Sequence, residues 1–235
     1  MLVSLRSDIE KLSDPMKAVF SPRFFKTGKG EYGEGDIFCG LTVPSARKIA
    51  TKYQDLQMPD VSRLLESKIH EERLVALLIL VLKFQEGEAK FQKEIFDFYV
   101  LHTKYINNWD LVDLSASRIV GNFLKNHERS VLYKFARSQS LWERRISIVA
   151  TFYFIVVLKE YADTFAIADL LLQDSHDLIQ KAVGWMLREV GKRVSEKALE
   201  EYLKNRYKKM PRISLRYAIE RFPEEKRKMY LRGEI

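Results

Sequence analysis

Asn107-Asn108-Trp109-Asp110-Leu111-Val112-Asp113 reads as the opening of a helix. An asparagine is a good N-cap, because its side-chain oxygen accepts a bond from a backbone N–H that has no helical partner. Trp109 and Asp113 then lie one turn apart and share a helix face. Asp110 marks a phase. Charged residues recur near the start of the second helix of successive helix pairs, at Arg73, Asp110, Arg145, Lys181 and Arg216. The differences between these positions are 37, 35, 36 and 35 residues. A helix pair repeated at that period cannot bury its own apolar face and must stack on its neighbours. The pattern predicts an all-α fold, a HEAT-like repeat α-solenoid built as a superhelix of antiparallel helix pairs.

Amphipathic segments support this outward from residue 108. The expected pairs are 60–67 with 69–86, 88–103 with 108–125, 129–138 with 140–159, 164–173 with 176–193, and 195–207 with 211–222. No segment alternates with the period of two that a half-buried strand needs. Residues 2–25 read as one or two short helices broken by Pro15 and Pro22. Thr27 to Gly40 is the glycine-rich stretch. Its Gly28-x-Gly30-x-x-Gly33 matches the dinucleotide fingerprint in form, but no strand precedes it and no helix opens on the third glycine, so a flexible surface loop is expected. Pro44 suits the first turn of a helix running to about Tyr53. The organisation expected is a single HEAT-like domain over 1–235, with N-terminal helices (1–58) and helix-pair repeats (59–222).

Composition bounds the partners. A 235-residue chain with 46% apolar and 31% charged residues buries a sizeable core and is not disordered. The net charge of +8 favours a polyanion, nucleic acid before an anionic membrane. The single cysteine, Cys39, excludes an internal disulfide and a cysteine-based zinc site. Charges break the segment from Met1 to Leu12, which excludes a signal peptide, and the apolar run from Ile146 to Leu158 is too short to span a bilayer. These features predict a reduced, cytoplasmic protein; the state expected beside them is a monomer, nucleoid-associated when bound to DNA.

The phase marker also sorts the site candidates. Trp109, Arg145, Asp113 and Trp185 fall at offsets −1, 0, +3 and +4 from it. At about 100° per residue these offsets span an arc of about 140°. The +3 and +4 slots of other pairs hold Ala76, Leu77, Ile148, Val149 and Ile219, so Asp113 and Trp185 break an apolar rule. Arg188, at +7, adds a cation to the same arc. Arg73 and Arg216 fit an ion-pair ladder between neighbouring repeats as well as they fit a phosphate track. Arg144 beside Arg145 exceeds what one ladder bond needs. Trp142 reads as core. Gly184, before Trp185, would let another backbone or a ligand come close. His70, His102, His127 and His176 have no metal-ligand spacing and read as capping or surface residues. The Arg-Lys clusters at 204–216 and 224–232 read as solvated helix faces that could extend a phosphate track.

The chain resembles the AlkD family of DNA alkylation repair proteins, which are HEAT-like alkylpurine-DNA glycosylases. The resemblance rests on Asn108-Trp109-Asp110-x-Val112-Asp113, on Leu141-Trp142-x-x-Arg145, and on Ile179-Gln180-Lys181-Ala182-Val183-Gly184-Trp185-x-Leu187-Arg188-Glu189. It implies a catalytic aspartate at Asp113, lesion-flanking tryptophans at Trp109 and Trp185, and an active-site arginine at Arg145. It also implies a substrate of cationic N3- or N7-alkylated purines in duplex DNA, with no metal and no cofactor. Contacts to DNA are expected from Lys181, Arg188, Arg73, Arg216 and Arg144. The chain departs from the family pattern at Thr42, at Asp177-Leu178, and in the glycine-rich insertion before Gly40.

The residues support this chemistry by themselves. Cleavage of an N-alkylated purine builds positive charge on the sugar, and a fixed carboxylate stabilises it. Aromatic faces attract a cationic lesion by about 0.5–2 kcal/mol. Two other readings are a non-catalytic HEAT-like DNA-binding protein and a protein-interaction scaffold. Asp113 with both tryptophans favours the enzyme over the first, and the basic balance disfavours the second.

Overall fold

The computed structural model describes residues 1–235 and is all-helical. Its single β interaction is a parallel bridge between Ile37 and Ile69. Contacts divide the chain into two compact units, Met1–Ser115 and Ala116–Ile235.

In the first unit, α1 (Leu2–Leu12) and α2 (Pro15–Phe25) precede the glycine-rich stretch. Asp14 caps α2 by accepting from Met16 N at 3.0 Å and Lys17 N at 3.4 Å. Pro15 then occupies the first turn, where its missing N–H costs nothing. Pro22 was expected to break the helix and instead lies inside it. It sits in the closing turn, one turn before Lys26 takes a left-handed conformation and ends α2. No residue of α2 is buried.

α3 (Val43–Lys52) opens on Thr42, and α4 (Met58–Leu65) precedes α5 (His70–Glu86). Every residue of α5 from His70 to Val81 is buried, as befits a helix covered on all sides by α3, α4 and α6 (Ala89–Leu101). The unit closes with α7 (Trp109–Ala116). Asn108, wholly buried, accepts the N–H of the next residue, Trp109, at 2.8 Å.

The glycine-rich stretch is tied down rather than loose. Gly28 N donates to Glu31 at 2.7 Å and Gly30 N to Glu34 at 2.8 Å. Ile37 N donates to Lys68 O at 3.1 Å, and His70 N returns to Ile37 O at 2.8 Å. Cys39 N and Gly40 N both donate to the Glu71 carboxylate, at 3.0 and 2.8 Å. Gly40 is needed there, since its φ of +81° suits glycine.

In the second unit, a π-helical turn (Ser117–Gly121) leads into α8 (Asn122–Leu124). There follow α9 (Ser130–Ala136), α10 (Leu141–Ala150), a second π turn (Phe154–Leu158), α11 (Ala162–Leu170), α12 (Asp177–Arg193), α13 (Glu196–Lys204), α14 (Arg212–Ala218) and α15 (Glu224–Arg232). Two of the expected pairs are visible here, 129–138 with 140–159 and 164–173 with 176–193, whereas α13, expected against 211–222, packs on α12 instead. α9 packs on α10, α11 and α13 on α12, and the second helices α10, α12 and α14 stack in order. α15 lies beyond the last expected pair, and its Tyr230 is buried against Phe222 and Tyr207.

Gly184 is the closest approach of α12 to α14. A Cβ there would lie 2.5 Å from Ser214 O and 2.5 Å from Tyr217 Cβ. Both helices would have to separate to admit it. Gly184→Ala is expected to destabilise the protein by about 1–3 kcal/mol, despite its better helix propensity. A denaturant midpoint equal to that of the parent would show that the helices move apart freely.

Candidate functional site

Trp109 and Asp113 are both half-buried on α7. Their helix is fixed by its opposite face, where Leu111, Val112, Ser115 and Ala116 are buried. Ser115 Oγ donates to Leu111 O at 2.6 Å and lies 2.9 Å from Tyr99 Oη. Burial pushes the Tyr99 phenol upward, and the nearby Asp113 charge adds to the shift.

Trp109 has an aromatic roof that the sequence did not announce. Phe25 stacks on it with centroids 5.5 Å apart and planes 19° from parallel, and Phe24 meets it edge-on at 5.6 Å. Phe25 also stacks on Phe38 at 5.0 Å and contacts His70 at 4.8 Å. Thus α2 and the glycine-rich stretch supply the neighbours of the tryptophan. Beside this roof lies a cavity of about 310 Å³, lined by residues including Phe20, Phe24, Phe25, Phe38, Thr42, Glu71 and Asp110.

A buried charge chain lies beneath. His70 Nε2 is 2.8 Å from Asp110 Oδ2, and His70 Nδ1 is 3.2 Å from Asp36 Oδ2. Arg73 Nη2 lies 2.7 Å from Asp36 Oδ1, while its Nη1 donates to Ser67 O at 2.8 Å. Desolvation would lower the imidazole's pKa, but the hydrogen bonds to Asp110 and Asp36 win and raise it to about 9. Burial would raise Asp36, but His70 and Arg73 hold it below the ordinary carboxylate range.

Two expectations are corrected here. His70 is neither a cap nor a surface residue; it is the buried centre of this chain. Arg73 is buried with a side chain 4% exposed, so it takes the internal ion-pair role and does not reach a phosphate. The other histidines fit the expectation. His176 caps α12 by accepting from Leu178 N at 3.1 Å, while His102 and His127 bond the carbonyls of Phe98 and Phe123 at helix ends.

In the second unit, Arg145 is buried on α10 and donates from Nη1 to Leu178 O of α12 at 2.6 Å. Trp142 is buried as core. Trp185, half-buried on α12, contacts Phe152 at 5.8 Å, and Arg193 lies over the same Phe152 ring at 5.5 Å. Arg144 pairs with Asp174 at 2.7 Å. Arg188 pairs with Glu189 at 2.9 Å and Glu220 at 2.5 Å, and Lys181 with Asp177 at 2.6 Å. Arg216 is exposed. The structure therefore places Trp109 with Asp113 on one helix of the first unit, and Arg145, Lys181, Trp185 and Arg188 on stacked helices of the second.

A family model described as "DNA alkylation repair enzyme" matches residues 5–222. The chain belongs to the DNA alkylation repair enzyme family. Among solved structures it is similar to a predicted DNA alkylation repair enzyme from Enterococcus faecalis, with a TM-score of 0.68 and 16% identity over 90% of this chain and 97% of that one. No curated protein matches. At that identity the likeness speaks for the fold. In this DNA alkylation repair family member, no helix is long and apolar enough to cross a membrane. Thr42 caps α3 through a 3.4 Å bond from Ser45 N and lines the cavity.

The raised pKa of His70 has a signed consequence. Between its ordinary value of 6.5 and its folded value of about 9, the native state holds a proton that the unfolded chain has lost. Its stabilisation is complete below 6.5 and declines as pH rises toward 9. The total is about 3 kcal/mol, at about 1.4 kcal/mol per pKa unit. Asp36 acts in the opposite sense and loses its contribution as pH falls below the ordinary carboxylate range. Unfolding free energy is expected to decline steadily from pH 6.5 to about 9. A flat profile over that window, measured by denaturant titration, would count against a protonated His70.

Proposed function

We propose that the protein is an alkylpurine-DNA glycosylase that removes cationic N3- or N7-alkylated purines from duplex DNA. The observation that carries this reading is the pairing of Trp109 with Asp113 on α7, inside a chain of the DNA alkylation repair family. A cationic purine is already a good leaving group. The bond from the sugar's anomeric carbon to the purine nitrogen breaks, and its electron pair leaves with the neutral alkylpurine. Water then adds to the sugar carbon and loses a proton. Asp113 stabilises the positive charge that grows on the sugar and orients that water. Trp109 and Trp185 contact the lesion nucleotide, and Arg145 serves as a phosphate clamp.

Duplex DNA is the partner in this reading, held through phosphates by Arg144, Lys181, Arg188 and Arg216. Three of these already hold carboxylates, Arg144 with Asp174, Lys181 with Asp177 and Arg188 with Glu189 and Glu220. DNA binding must therefore exchange those partners, which tempers affinity. Affinity is expected to fall by about 0.9 log units per log unit of salt for each phosphate neutralised. Binding that is insensitive to salt would remove the phosphate track. The aromatic roof over Trp109 favours the second reading, a non-catalytic DNA-binding protein, because it limits what the tryptophan can touch.

Asp113→Asn separates the two readings. Asparagine keeps the shape and loses the charge facing the sugar cation. Single-turnover release of 7-methylguanine from alkylated duplex is expected to slow by about 10²–10³, with melting temperature and DNA affinity retained. Release as fast as the parent's at equal stability would make Asp113 structural and leave the DNA-binding reading.

A further inference from the structure

α2 turns an apolar stripe to solvent. None of its residues is buried, although it holds three phenylalanines. Met16, Val19, Phe20 and Phe24 are between 64% and 73% exposed. Counted from Met16, the others follow after three, four and eight residues. At about 100° per residue all four fall within an arc of about 140° on one helix face. Ala18 and Phe25, on the opposite face, are half-buried, and Phe25 stacks inward on Trp109 and Phe38. A surface helix ordinarily points charge outward and its apolar stripe at the core. A contiguous apolar face left in water marks an interaction site.

Two observations say what covers it. The first is charge. From Pro15 to Gly30 the chain carries Lys17, Arg23, Lys26 and Lys29 and no acid. All four are exposed. By helical phase Arg23 falls within the arc of the stripe and Lys17 at its edge. Lys17 meets only Asp14, at 3.2 Å on the surface, so its charge stays open to a partner. The second is shape. Phe20 and Phe24 also wall the cavity of about 310 Å³, together with Phe38, Leu41, Val43 and Leu74, and Lys17 stands in the same lining.

An apolar centre beside a concavity, with charge at its edge, is the anatomy of a protein–protein interface. A bilayer surface would cover the stripe, but the concavity beside it suits a single anchoring side chain. DNA phosphates would meet the lysines and leave the stripe in water. A second copy seated through its own α2 would set Lys17 and Arg23 against their counterparts, and like charges repel.

We propose that the outward face of α2 is a docking surface for an acidic peptide segment of another protein, with one aromatic or leucine side chain set in the cavity and carboxylates on Lys17 and Arg23. The anchor supplies most of the affinity and the carboxylates fix the orientation. The docking does not depend on the glycosylase reading. Phe24 and Phe25 end the same helix and touch Trp109, so a docked segment borders that tryptophan.

Selection of a displayed library of random peptides against the full chain tests this. The enriched sequences are expected to carry an excess of Asp and Glu around at least one Phe, Trp or Leu. A fluorescein-labelled copy of the most enriched peptide then serves as the probe in polarisation titrations. Phe20→Ser is expected to weaken its binding by about tenfold or more at unchanged melting temperature, because Phe20 is exposed on a helix with no buried residue. Lys17→Glu combined with Arg23→Glu is expected to weaken it by about tenfold or more as well. No enrichment, enrichment of basic or wholly apolar peptides, or binding unchanged by either variant would each overturn the proposal. Vesicles of equal parts phosphatidylglycerol and phosphatidylcholine provide the other arm. Vesicle binding that Phe20→Ser removes, with the peptide still bound, would overturn the proposal and assign the face to a membrane.

Discussion

An imidazole held between two buried carboxylates ties down the start of the helix that carries Trp109 and Asp113. His70 bonds Asp110 at 2.8 Å and Asp36 at 3.2 Å, so one side chain of α5 joins the glycine-rich stretch to α7. Removing one partner from such a buried pair costs about 3–5 kcal/mol, because the remaining charge is stranded. The bond to Asp110 ties the first turn of α7, and with it Trp109, to α5. The Asn108 side chain sets the same start through the Trp109 N–H at 2.8 Å.

The two units solve one problem with different chemistry. In the first, the charged residue at the phase-marking position, Asp110, meets an imidazolium three residues before the previous marker, Arg73. In the second, Arg145 at the marker meets the Leu178 carbonyl, three residues before the next one, Lys181. Both tie a marker to the entry of a neighbouring helix. An interhelical ladder is therefore one source of the sequence period. A marker so employed is less available to a ligand, which separates Arg73, inside the chain of charges, from exposed Arg216.

Helix pairs were legible because the apolar period and the charged markers agree over most of the chain. The pairing of α9 with α10 and α11 with α12 follows that pattern, with ends within a few residues. Gly184 was legible too, since a glycine in a helix interior needs a reason, and Ser214 of α14 is that reason. His70 was not legible. Its partners lie 34 and 40 residues away, with no local spacing to announce them. One signal was present: Asp110 is the single acid among the markers, and a lone buried acid in a basic ladder asks for a cation in the adjacent repeat. The aromatic roof was hidden for a related reason. Phe24 and Phe25 end a helix with no buried residue, so only tertiary packing assigns them to Trp109.

The glycine-rich stretch shows how a segment that reads as a loose loop becomes part of a site. Its glycines free the backbone to turn, and its acids then fix it. Glu31 and Glu34 bind its own amides, while Asp36 reaches into the charge chain. From the other side, Glu71 of α5 grips the Cys39 and Gly40 amides. These bonds hold Phe38 against Phe25, and Phe25 against Trp109. The stretch's own acidic residues are thus among the groups that order it. The glycine-rich stretch is thereby joined to the tryptophan that the proposed chemistry depends on.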